Sequence, residues 1–109
     1  MVARRAGGCD LLGVETGPPL GAGLLSPSSG HEATHTVVHP GDAVLLMTDG
    51  MFERRDEAVD VSLEGLAAQV TAVVLPEPDA QTALARLVER ARPASSEDDA
   101  TLLLVRREN

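Results

Sequence analysis

The sequence predicts an α+β domain, with two helices laid over a mainly antiparallel sheet, and three observations carry that reading. Short apolar or β-branched runs fill the first part of the chain, two amphipathic stretches follow in succession, and one more apolar run comes near the end. Strands and helices grouped in blocks argue against alternating strand–helix units, which would build a parallel sheet. At 109 residues the chain is the size of one domain, and neither an internal repeat nor an interdomain linker divides it.

Val2–Arg5 and Asp10–Val14 read as short strands joined through Ala6-Gly7-Gly8, where glycine permits a tight reversal. Residues 15–30 are rich in Gly, Pro and Ser and read as loop. Ala33–His39 is β-branched and is expected to form a strand. It stops at Pro40-Gly41-Asp42, where proline presets φ and glycine accepts positive φ, as a type II turn requires. Ala43–Thr48 (AVLLMT) is a continuous apolar run, the pattern of a central strand covered on both faces, and it ends at Asp49-Gly50.

Leu63, Leu66, Ala67, Val70, Val73 and Val74 recur at helical spacing, with Ser62 or Asp60 as the expected N-cap and Pro76 closing the segment. Ala80, Ala83, Leu84, Leu87, Val88 and Ala91 repeat the pattern, capped by Asp79 and stopped at Arg92-Pro93. Thr101–Val105 then returns to a buried-strand composition ahead of the charged tail 106–109.

Phe52 is the one aromatic residue, so the core must be built from Leu, Val and Ala. Each well-buried Leu or Val contributes about 1.5–3 kcal/mol, which suffices only if the helix faces find their partners within the fold. Nine basic against seventeen acidic residues give a formal charge of −8, a balance that repels nucleic-acid phosphates and anionic membrane surfaces. Neither nucleic acid nor membrane is expected as a partner. Cys9 is the single cysteine, which excludes an intrachain disulfide and fits a reducing, cytoplasmic setting. Arg4 and Arg5 precede Cys9 without the apolar h-region that lipoprotein processing needs, and no run approaches the ~20 apolar residues of a membrane span.

Carboxylates occur where apolar strands meet polar turns: Asp49 leaves one strand, and Asp98 with Asp99 leads into another. If those strands are antiparallel neighbours, the carboxylates converge at one edge of the sheet. Hard divalent cations favour such oxygen donors, and without a cation the crowded charges would repel and raise at least one pKa. The plain alternative is that Asp49-Gly50 is a turn signal and Asp98 a loop residue.

Four segments together, Gly17-Pro18-Pro19-Leu20-Gly21, Pro40-Gly41-Asp42, Leu45–Gly50 with Glu53, and Asp98–Leu103, resemble the SpoIIE-type branch of the metal-dependent (PPM-type) serine/threonine protein phosphatases of bacterial signalling. They stand in the family's order and spacing across nearly the whole chain. The resemblance implies part of an α-β-β-α sandwich in which two Mn2+ or Mg2+ ions activate water to hydrolyse phosphoserine or phosphothreonine. By matching motif positions it makes Asp49 and Asp98 metal ligands, with Asp99, Gly50 and Glu53 supporting the site. It also implies a phosphoserine or phosphothreonine protein as substrate, such as an anti-sigma factor antagonist.

The sequence departs from that pattern in two ways. The tyrosine that usually precedes Thr-Asp-Gly is Met47 here, a packing change. The family's upstream Asp-Gly segment, which bridges the metals, and its Asn-Gly-His segment have no counterpart among the 109 residues. Residues 1–109 therefore read as the C-terminal portion of a single phosphatase domain without its N-terminal half. Weak metal binding, little activity in isolation, and self-association through exposed sheet are expected.

Two competing readings remain. His31-Glu32-Ala33-Thr34-His35 satisfies the HExxH pattern of zinc metalloproteases, which needs one helical face to present both histidines. Thr34, Thr36, Val37 and Val38 favour a strand over that helix, and Pro40 ends the segment. The other is a non-catalytic remnant or interaction module that binds a partner through its amphipathic helices.

Overall fold

The computed structural model describes residues 1–13, 33–92 and 99–108. Its elements run β1 (Val2–Ala3), β2 (Cys9–Asp10), β3 (Ala43–Met47), a 3-10 turn (Asp49–Met51), α1 (Val59–Val73), α2 (Ala80–Ala91) and β4 (Leu102–Arg106). The strands form one antiparallel sheet in the order β2-β1-β3-β4, so the fold is α+β.

The hairpin between β1 and β2 closes where Gly7 and Gly8 take φ of 110° and 88°, and Gly7 N–H donates to the Arg4 carbonyl at 2.9 Å. β3 is the central strand, with β1 on one side and β4 on the other. The preceding turn follows the expected chemistry: Gly41 has φ of 90°, and Asp42 N–H donates to the His39 carbonyl at 2.9 Å.

Ala33–His39, expected as a strand, forms none. Both edges of β3 are already occupied, and the segment's carbonyls are met by side chains instead. Arg4 donates to Val37 O and Arg107 to Val38 O. Its β-branched residues therefore lie largely in solvent, with Val37 64% exposed.

Asp42, at the start of β3, is a buried carboxylate with three donors. Arg5 N–H and His39 N–H each reach it at 2.9 Å, and the Arg4 guanidinium lies at 3.1 Å. These two backbone hydrogen bonds and then Arg4 hold its pKa at about 2, below the ordinary 3.8. Arg4 also pairs with Asp10 at 2.7 Å, tying the hairpin to the turn.

Helix α2 matches the expected bounds because its start signal is local: Asp79 accepts from Thr82 N–H at 2.8 Å and from the Thr82 hydroxyl at 2.6 Å. Helix α1 begins at Val59, ahead of the expected caps. Its N-cap, Ala58, has no capping side chain, while Ser62 is buried inside the helix and donates to Glu57 at 2.8 Å. At the other end, Arg106 from β4 donates to the Val74 and Pro78 carbonyls, both at 2.7 Å. A cation thus sits at the carbonyl end of α1, whose own last turn has none.

The core lies between the helices and one face of the sheet. Leu66, Val70 and Val73 from α1 and Ala83, Leu87 and Ala91 from α2 pack with Ala3, Ala43 and Leu45, and Leu102 and Leu104 border them. The opposite face is open: Leu46 pairs with Leu103 and Val44 with Val105, and Leu46, Leu103 and Val105 are each more than half exposed. β3 is therefore covered on one face, not both.

Candidate metal centre

Asp49 is the first residue after Thr48 at the end of β3, and the strand register decides what stands opposite it. Met47 pairs with Leu102, and the ladder runs one step further: Thr48 N–H donates to Thr101 O at 3.0 Å, and Thr101 N–H donates to the Thr48 hydroxyl at 2.9 Å. The chain on either side of these threonines is thereby held together where both strands meet solvent. The chain then turns in a 3-10 conformation, with Phe52 and Glu53 N–H donating to the Asp49 carbonyl at 3.0 and 2.7 Å. The Asp49 carboxylate stays exposed, while Met51, two residues on, is buried in the core and anchors the turn.

Gly50 is buried against the segment that leads into β4. A Cβ at this position would lie 2.5 Å from the Asp99 carbonyl oxygen and 3.2 Å from Ala100 Cα. The turn bearing Asp49 and the backbone of Asp99 are consequently in direct contact, and only a glycine allows that approach. Asp99 is exposed beside it, and Glu53 is exposed after the turn.

Among the expected site residues, the structure brings Asp49, Gly50 and Asp99 together at one end of the β3–β4 pair. Asp98 lies outside the described residues, as do Gly17–Gly21. His31 and Glu32 of the HExxH pattern also lie outside them, and Ala33–His39, which includes His35, is not helical. That segment does not supply the helical face that a zincin site needs.

The donors fit a hard divalent cation in kind, since they are carboxylate oxygens at an exposed strand end. They do not complete a cage: among the described residues no group of three His, Cys, Asp or Glu side chains is placed to hold a metal. Two features of this end were not read from the sequence. The Thr48 hydroxyl's acceptance of a β4 N–H had no local signal, and the Gly50 contact was visible only as a turn glycine.

An antiparallel sheet with helices on one face and carboxylates at the end of its central strand defines a class of α+β domain rather than one activity. The family model for stage II sporulation protein E (SpoIIE) matches residues 1–108, and the chain belongs to this family, as a PPM-type phosphatase-related domain. No match was found among curated proteins or solved structures. No helix of the described residues is long and apolar enough to cross a membrane.

Proposed function

We propose that this chain is the C-terminal, metal-ligand-bearing portion of a Mn2+- or Mg2+-dependent serine/threonine phosphatase domain, and that alone it is catalytically silent. The observation that supports this most is the contact between Gly50 and Asp99. It sets the turn of Asp49 against the backbone of Asp99 and Ala100, in a chain whose family is that of PPM-type phosphatases.

In this reading Asp49 and Asp98 would hold the metal. Two such ions, when bound, lower the pKa of a water and clamp phosphoryl oxygens. The chain's own residues do the placing. The Thr48–Thr101 hydrogen bonds fix the two strand ends and Gly50 sets their separation, while Asp99 and Glu53 would support the ligands by family resemblance. The substrate would be a phosphoserine or phosphothreonine protein, an anti-sigma factor antagonist by family resemblance, in a cytoplasmic setting.

The test is Mn2+ titration of the full chain, followed by amide line broadening, with turnover of a phosphoserine peptide measured in parallel. Weak broadening centred on Gly50, Met51, Asp99 and Ala100, lost in Asp49→Asn and in Asp98→Asn, is expected, with hydrolysis at background. No broadening at millimolar Mn2+ would overturn the metal reading in favour of a non-catalytic interaction module. Mn2+-dependent turnover by the chain alone would overturn the proposed catalytic silence.

A further inference from the structure

A second site stands apart from the carboxylate end. A cavity of about 220 Å3 opens between the chain after the 3-10 turn, one face of α1 and the last turn of α2. Phe52 and Leu66 give it apolar walls, and Gln69, Arg54 and Arg90 its polar rim. The volume is below the roughly 300–1,000 Å3 of pockets that enclose a whole small molecule, and it suits one or two side chains of a partner.

Among the described residues that line it, charge is not balanced. Glu57, the one carboxylate in the lining, accepts from the Ser62 hydroxyl at 2.8 Å and faces the Arg54 guanidinium at 3.5 Å. Arg90 has no hydrogen-bond or ion-pair partner among the described residues. One acid against two guanidinium groups leaves a local positive excess in a chain whose formal charge is −8.

Gly65 lines the same cavity. It lies in the middle of α1 with no positive φ, and nothing stands within 4 Å of where its Cβ would be. Glycine weakens a helix interior, so neither backbone conformation nor crowding accounts for it here. What its missing side chain does provide is depth in the cavity.

We infer that this cavity binds a protein segment presenting an apolar side chain next to a carboxylate. The apolar group enters over Gly65 against Phe52 and Leu66, and the carboxylate pairs with Arg90 in the fork geometry that guanidinium offers. This reading does not depend on Asp49 holding a metal, and its test needs none.

The experiment is amide shift mapping of the full chain with three blocked peptides: Ala-Glu-Leu-Glu-Ala, its Gln-for-Glu analogue, and its Ser-for-Leu analogue. The acidic, Leu-containing peptide is expected to shift Phe52, Gly65, Gln69 and Ala91 at millimolar concentration, with both analogues about tenfold weaker. Arg90→Gln should weaken it about tenfold, while Arg90→Lys restores part of the loss. Gly65→Ala should raise the thermal midpoint and still weaken the peptide, a combination that general damage to the fold would not produce. No shifts in these residues, equal binding of the uncharged analogue, or full binding by Gly65→Ala would each overturn the proposal.

Discussion

Gly50 and Gly65 should respond to the same substitution with opposite signs, although neither has a positive φ and both would read as ordinary replacements in a sequence. At Gly50 an alanine Cβ meets backbone: Asp99 O at 2.5 Å and Asp99 C at 3.0 Å. Ordinary contact begins at 3.4 Å, so the segment leading into β4 must retreat by about 0.9 Å. That retreat works against the Thr48–Thr101 hydrogen bonds one step along the ladder. Overpacking of this size costs about 1–3 kcal/mol, offset by about 0.4–1 kcal/mol because alanine restricts the unfolded chain. A net loss of about 1–2 kcal/mol is expected.

At Gly65 nothing lies within 4 Å of the new methyl group, so only the helix propensity changes and stability should rise by about 0.5–1 kcal/mol. The two variants should differ by about 2 kcal/mol, which separates their urea midpoints by on the order of 1 M at the m-values of a small domain. Urea unfolding followed by circular dichroism measures both. If Gly50→Ala unfolds at or above the wild-type midpoint with the Asp99 and Ala100 amide resonances unmoved, the argument that Gly50 sets the separation of the strand ends fails.

Three further outcomes are expected. Arg106→Leu keeps the stem of the side chain but removes the cation from the Val74 and Pro78 carbonyls; a loss of about 1–2 kcal/mol in urea unfolding checks it, and an unchanged midpoint would refute the long-range cap. Asp42 has its folded pKa depressed to about 2 from 3.8, so its contribution is complete above 3.8 and is lost as pH falls through about 2. The urea midpoint should therefore fall across that window, and less steeply in Asp42→Asn; equal slopes would place the acid sensitivity elsewhere. The open row of Leu46, Leu103 and Val105 should drive self-association, visible by sedimentation and reduced in Leu103→Lys, whereas a monomer at all concentrations would count against it.

The elements legible in the sequence are those whose signals are local. Asp79 caps α2 through a residue three positions on, Gly41 needs its positive φ within a four-residue turn, and the AVLLM run declares β3 by composition alone. The start of α1 lies ahead of the expected caps because Val59 and Val61 are about half exposed and Ala58 offers no capping side chain to recognise. Ala33–His39 has strand composition but no strand partner. Whether a β-branched run finds an edge is decided by β1 and β4, which flank β3 from distant positions in the chain. At the candidate site, Asp49 was legible because it directly follows a strand. The closeness of Gly50 to Asp99 was not, since it depends on the β3–β4 register.

The two ends of β3 show why its aspartates play different parts. Asp42 is buried, and three donors that the fold itself supplies stabilise its charge. A carboxylate so committed has little acceptor capacity left for a ligand, and its work is to join the hairpin, the turn and the central strand. Asp49, at the other end, is exposed, and the hydrogen bonds it receives among the described residues go to its backbone carbonyl rather than to its carboxylate. The fold fixes the position of Asp49 through Met51, Gly50 and the Thr48–Thr101 pair, and among the described residues no side chain or backbone N–H pairs with its carboxylate. A rigidly placed carboxylate without a partner among the described residues is suited to receive a cation, and the two aspartates that flank one strand thereby separate into a structural anchor and a candidate ligand.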